Sequence, residues 1–312
     1  MTPRSALRLA VVPVIILAGC AGPPDDSADG SATPRLIERA SPSPSSSPSR
    51  PAPLPFRGTE RAEPDVLVWS QEFDGPAGSL LDPETWLVND YASHPSQSLT
   101  SWTARPENVS LTGDGALRIT AREEDWEDPY GTETDYTSGR IETVDAFRYG
   151  SIEGRVKATA GLGTLSAFWM LGRYEVDGET WPGAGEIDIV ELVDEADLVH
   201  GTVHGATRID GHWQQGGTRD AEGGWADEWH VYRVEWEPES IEFSVDGEVY
   251  YRITPDDLAE DQRWSFDEPQ HILVNLAVGG SWASDPADPS VFPAEMLVDY
   301  IRVYGSEHHP RL

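Results

Sequence analysis

The chain has 312 residues, with 22 Lys and Arg against 55 Asp and Glu, a formal charge of −33. A surface of that sign repels phosphate backbones, which excludes nucleic acid as a partner. A single cysteine rules out an internal disulfide and any Cys-x-x-Cys metal or redox site.

At the N-terminus, Arg4 and Arg8 flank the start of a short apolar run from Leu9 to Leu17, followed by Ala18-Gly19-Cys20. The run is too short to span a bilayer and has the layout of a secretion signal. Its end resembles the bacterial lipobox, in which the cysteine is lipidated and becomes the mature N-terminus. The expectation is a membrane anchor through Cys20, with the protein on the extracellular face of the cell membrane. Residues 21–63 hold nine Pro and eight Ser. Such a stretch buries too little apolar surface to offset its ordering entropy and reads as an extended tether. Residues 1–63 carry seven Arg and six acids, which leaves −34 on residues 64–312. That excess fits salt adaptation or plain solubility. The expected boundaries are 1–20 for the signal, 21–63 for the tether, 64–305 for the folded domain and 306–312 for a tail.

The folded part reads as all-β. Apolar and polar residues alternate in Ala116–Ala121, Gly150–Lys157, His271–Val278 and Met296–Tyr304, the period of a half-buried strand. The plainest hairpin is Ser240–Val245, Asp246-Gly247, Glu248–Ile253, because Asp-Gly favours the type I′ turn. Only about 255–263 reads as helix. Many short antiparallel strands predict one sandwich or barrel domain, expected as a monomer. The segment Gly205–Asp227, with Trp213 and Trp225, reads as a loop able to close over a cleft.

The chemistry concentrates in Trp181-Pro-Gly-Ala-Gly-Glu186-Ile-Asp188-Ile-Val-Glu191. Glu186 and Asp188 share one face of a strand, whereas Glu191 would fall on the opposite face. A bulge within Ile189-Val190 absorbs one residue and returns Glu191 to the carboxylate face. The two Glu Cα atoms then lie about 13 Å apart. Side chains leaning together leave about 5 Å between carboxylates, the spacing of a retaining glycosidase pair. Tyr174–Thr207 contains nine acids and no Lys or Arg, so a carboxyl there keeps its proton to higher pH, as a general acid requires.

Trp181-Pro-x-x-Gly-Glu186-Ile-Asp188-Ile-Val-Glu191 resembles the active-site signature of glycoside hydrolase family 16, in the bulged form of its laminarinase-like members. Further segments follow in the family's order. They include Val68–Gly75, Arg105–Val109, Ser138–Ile141, Ala167–Leu171, Thr202–His204, Trp229–Trp236, Asn275–Gly280 and Val298–Tyr304. The resemblance implies a concanavalin A-like β-jelly-roll sandwich with a substrate cleft on its concave sheet. It also implies retaining cleavage of a β-linked polysaccharide, β-1,3-glucan first, with no cofactor needed for catalysis. By position, Glu186 is the nucleophile, Glu191 the acid/base and Asp188 the residue between them. Trp169 and Trp181 are implied sugar platforms, and Arg140, His204 and Asn275 implied contacts to substrate hydroxyls. Some members bind a structural calcium on the convex side, at positions matching Glu72, Gly115 and Asp299. Leu165-Ser166 stands where laminarinase-like members usually have Trp-Pro.

Overall fold

The computed structural model describes residues 61–94, 97–172, 180–209, 211–286 and 288–310. Cys20, the signal segment and residues 21–60 of the tether lie outside them. In chain order the strands begin β1 (Leu67–Gln71), β2 (Trp86–Val88), β3 (Tyr91–Ala92), β4 (Thr100–Trp102), β5 (Val109–Leu111), β6 (Leu117–Glu127) and β7 (Glu133–Ser138). Then come β8 (Arg140–Thr143), β9 (Ala146–Arg148), β10 (Gly150–Lys157), β11 (Thr164–Gly172), β12 (Glu186–Val193), β13 (Leu198–Ala206) and β14 (His212–Asp220). The last are β15 (His230–Glu237), β16 (Ser240–Val245), β17 (Glu248–Ile253), β18 (Gln270–Val278), β19 (Ala294–Tyr304) and β20 (Glu307–His309).

They form two sheets. One runs β17-β16-β15-β10-β19-β6-β7-β4-β3, with β1 beside β19 and β5 beside β6. The other runs β14-β13-β12-β11-β18-β8-β2, with β9 beside β18 and β20. Alternate residues of both sheets meet in a shared core, as a sandwich requires. Ile152, Val156, Tyr232, Val234, Ile301 and Val303 come from the first sheet; Phe168, Met170, Ile187, Val203, Ile272 and Val274 come from the second. The sheets approach closely at Gly154, where a Cβ would lie 2.8 Å from the Phe168 ring. The glycine makes room for the ring that β11 buries in the core.

The expected hairpin is present, with Val245 opposite Glu248. Asp246 and Gly247 have φ of 51° and 79°, the left-handed pair that a type I′ turn needs.

Three boundaries differ from the sequence expectation. Residues 306–312 are not a plain tail, because Glu307–His309 pairs with β9 and His308 lies 2.7 Å from Asp145. The fold begins before residue 64: Arg61 donates to both Glu237 carboxylate oxygens at 2.7 and 2.6 Å and to the Gly305 carbonyl at 2.9 Å. The expected helix near 255–263 is a single 3-10 turn, Pro255–Asp257. Asp257 caps its start by accepting from the Thr254 backbone N–H at 2.8 Å, and the turn ends where Leu258 takes an extended conformation.

Candidate active site

β12 places the carboxylates. Asp188 faces Thr202 and Glu191 faces His200, so three steps on β12 match two on β13. On the other side Trp169 faces Asp188 and Phe168 faces Val190, which leaves Ile189 as the extra residue. This is the bulge expected at Ile189-Val190. Ile187, Ile189, Val190 and Leu192 are all buried. With the bulge absorbed, Glu186, Asp188 and Glu191 share the opposite, outward face.

The segment before β12 is held by close backbone contact. Gly185 has φ of 78°, and a Cβ there would overlap the Ser265 carbonyl. Its own carbonyl accepts from the Gly172 N–H at 2.9 Å, which ties the segment to the end of β11. This fixes Trp181 over the start of the strand, where its indole N–H donates to Glu186 Oε2 at 2.5 Å.

His204 lies opposite Glu186 on β13. A carboxylate oxygen of Glu186, one of Asp188 and a ring nitrogen of His204 lie within 4.8 Å of one another. His204 Nε2 stands 3.1 Å from Asp188 Oδ2. That oxygen is buried with no aligned hydrogen-bond donor among the described residues, so the contact is charge attraction rather than a well-formed bond.

These neighbours set the proton affinities. Burial, then the charge of Asp188, pushes Glu186 up from 4.5 to about 7, against the opposing pull of His204 and the Trp181 hydrogen bond. Glu191 is raised well above the ordinary carboxylate range by burial first, then by Asp188, with Glu186 adding to both. Burial alone would lower His204, but Asp188, Glu186 and Glu191 outweigh it and raise the imidazole from 6.5 to about 9. The cluster therefore titrates as a unit: carboxyls that hold protons toward neutral pH around one imidazolium. Such a site has the two groups needed to protonate a leaving oxygen and to attack the carbon behind it.

The residues expected to touch substrate divide into two sets. Trp169 and Arg140 remain partly open, with the guanidinium carbon of Arg140 4.9 Å from the Trp169 ring centre. Asn275 and His204 are already engaged. Asn275 is 6% exposed and its Oδ1 accepts from the Trp169 indole at 2.8 Å, so it orients that ring. His204 serves Asp188 on one side, and its Nδ1 lies 2.8 Å from His212 Nε2 on the other. Trp181 offers a ring face, but its N–H belongs to Glu186.

His212 was not legible in the sequence. A lone histidine in a polar stretch carries no signal; the Asp210-Gly211 dipeptide just before it was the available hint of a hairpin. The expected loop Gly205–Asp227 is instead largely β14, paired with β13 from Leu198↔Asp220 to Ala206↔His212. Trp213 and Trp225 are each 5% exposed and line the core rather than the cleft. Their indoles donate to the backbone carbonyls of Ala206 and Arg219, at 2.9 and 3.1 Å.

The carboxylates expected to hold calcium are committed elsewhere. Arg302 takes both Glu72 oxygens at 2.9 and 2.8 Å, and Arg155 takes Asp299 at 2.6 Å. Gly115 lines a cavity of about 400 Å³ with Asp299, Arg118 and Arg155 but without Glu72. Asp114 lines it as well, but the two guanidinium groups balance its two carboxylates, so with Glu72 and Asp299 both held by arginines these side chains as placed do not fit a calcium site.

Residues 96–302 match the sequence model of the glycosyl hydrolases family 16. The chain belongs to glycoside hydrolase family 16. The family 16 segment contains the whole carboxylate cluster, with Trp181, His204 and His212. A β-glucanase of Rhodothermus marinus is 42% identical over 253 residues, covering 76% of this chain and 84% of the relative. The glucan endo-1,3-β-glucosidase A1 of Niallia circulans is 34% identical over 272 residues; the match covers 77% of this chain but only 38% of that longer relative. The catalytic domain of an endo-1,3-β-glucanase (laminarinase) from Thermotoga petrophila RKU-1 superposes with a TM-score of 0.68 at 36% identity, over 78% of this chain and 98% of that one.

Proposed function

We propose that this family 16 chain is a retaining endo-β-1,3-glucanase. The observation that carries the proposal is the β12 bulge, which puts Glu186, Asp188 and Glu191 on one outward face. Glu191 at one end holds its proton well above the ordinary carboxylate range, while at the other the Trp181 N–H and the His204 cation favour the ionised form of Glu186. In the proposed reaction Glu186 attacks the anomeric carbon and forms a covalent glycosyl ester. Glu191 gives its proton to the leaving oxygen, then takes one from the water that hydrolyses the ester. Asp188 lies between them and, with His204, sets how much charge the pair carries. Trp169, backed by Arg140 and oriented by Asn275, offers an aromatic face to a pyranose ring. Two carboxyls complete this cycle without a metal or organic cofactor. The β-1,3 linkage is supported by what the named relatives act on.

A second reading, the same chemistry on β-1,3-galactan, lichenan or another β-glycan, is favoured by Leu165-Ser166. Ser166 is buried and offers no aromatic wall. Transfer to a sugar hydroxyl in place of water uses the same residues. A non-catalytic glycan-binding role is disfavoured, because binding needs no costly buried carboxylate cluster.

Location belongs to the same proposal: a lipid on Cys20 holds the enzyme at the outer membrane face, and the Pro/Ser stretch lets the domain reach polysaccharide. A reducing-sugar assay over laminarin, lichenan, galactan, agarose and carrageenan tests the substrate. Rapid release of short oligosaccharides from laminarin is the expected result. Activity on galactan or lichenan alone moves the assignment to the second reading, and no activity on any glycan overturns the hydrolase.

A further inference from the structure

His212 lies outside the carboxylate signature, on the edge strand β14, yet it touches both groups that hold the carboxylates. Its Nε2 is 2.8 Å from His204 Nδ1. The two ring centres are 5.1 Å apart, about the greatest separation a contact that short permits between imidazoles. The bonded nitrogens therefore lie on the line of centres, and the planes differ by only 8°. This is a linear, coplanar hydrogen bond rather than a ring stack. The His212 ring also packs on Trp181, at 4.8 Å and 35°. Trp181 in turn donates to Glu186.

The proton positions follow. His204 is raised to about 9 and is an imidazolium at neutral pH, with both nitrogens as donors. His212 is lowered from 6.5 to about 4 by burial and by the charge of His204. It is therefore neutral, and its Nε2 is the acceptor. Among the described residues, the titratable groups facing the pair are Glu186, Asp188 and Glu191 on β12. Arg208, on the turn leading to β14, is tied to the Glu260 carbonyl at 2.8 Å.

We propose that His212 is a positioning residue for the hydrolysis: it accepts the Nδ1 proton of His204 and backs Trp181, so one side chain fixes the partners of both Asp188 and Glu186. The inference rests on the proposed function for its reaction, but not for its geometry. Without the acceptor, the Nδ1–H of His204 is buried and unpaired, and His204 gives up its proton more readily. Three carboxyls then lose their cation, and Glu186 holds its proton to higher pH.

Two variants separate the contacts. His212→Phe keeps a ring on Trp181 and removes the acceptor; His212→Gln keeps an acceptor oxygen and removes the ring. Laminarin hydrolysis is measured across pH for both, with the thermal midpoint as a check on folding. His212→Phe should lower kcat about tenfold, the effect of one hydrogen bond to a charged group. KM should change little, and the acid limb should move to higher pH. His212→Gln should restore most of kcat and return the acid limb toward its original position. Unchanged kcat and acid limb in His212→Phe overturn the proposal, as do equal losses in both variants with no shift of the limb. Histidine-selective NMR titration of the full chain reads the same event without substrate: the high-pH imidazolium signal of His204 should titrate at lower pH in His212→Phe. If the wild type cleaves no glycan, the proposed function fails, and this titration alone still decides the role of His212.

Discussion

Glu186 accepts from Trp181 at 2.5 Å and feels the imidazolium of His204, while Asp188 and burial push the other way. A carboxyl raised from 4.5 to about 7 makes folding costlier as pH rises. The cost is absent below pH 4.5, grows between the two values and is fully present above about 7. Its size is about 3 kcal/mol. His204 behaves oppositely: its stabilisation is complete below 6.5 and is lost as pH rises through about 9. Glu186→Gln should therefore raise the thermal midpoint at pH 8 and leave it unchanged near pH 4. An equal shift at both pH values would mean that the carboxylate is not strained by its surroundings.

At the scale of the strand, the bulge decides which face Glu191 takes. Deleting Ile189 removes the extra residue and leaves Glu186, Asp188 and Glu191 on one face of a regular strand. Inserting an alanine after Val190 turns Glu191 toward the core. The deletion should keep laminarin hydrolysis within about 100-fold of wild type, the cost of a displacement near 1 Å. The insertion should lose at least about 1,000-fold, because the acid/base is removed. If the insertion is the active variant, the bulge does not set the register. The bulge was legible because Ile187 and Ile189 fixed the core face and Glu191 fell out of step with Glu186. β14 was not legible. His212-Trp-Gln-Gln-Gly-Gly-Thr has weak strand propensity, and only pairing with β13 makes it a strand. Trp213 in it and Trp225 after it read as part of a loop over the cleft because sequence gives size and polarity but not the face they take. The partners of Glu72 and Asp299 were hidden for a related reason: Arg302 and Arg155 lie 230 and 144 residues away, where local spacing says nothing.

For the molecule as a whole, the excess of acid exceeds what its arginines neutralise. Arg61, Arg148, Arg155, Arg233 and Arg302 are each already paired with a carboxylate. The remaining acids repel one another unless counterions screen them. Between low and molar salt the thermal midpoint should rise by at least about 3 °C, the shift that about 1 kcal/mol gives a domain of this size. A flat response would assign the acids to solubility alone. The proposed cellular placement rests on Cys20. Cys20→Ala should release the protein from the membrane fraction, and a variant that still sediments with membranes would rule out the lipid anchor.

The central claim is that Glu186 forms a covalent bond to the sugar while Glu191 moves the proton. A 2-deoxy-2-fluoro-β-laminaribioside with an activated leaving group slows release of that intermediate, and mass spectrometry of the digested protein locates the sugar. The account predicts one added disaccharide, on the peptide containing Glu186, and none in Glu186→Ala. A label on Glu191, or rapid turnover of the natural substrate with no label formed, would contradict it.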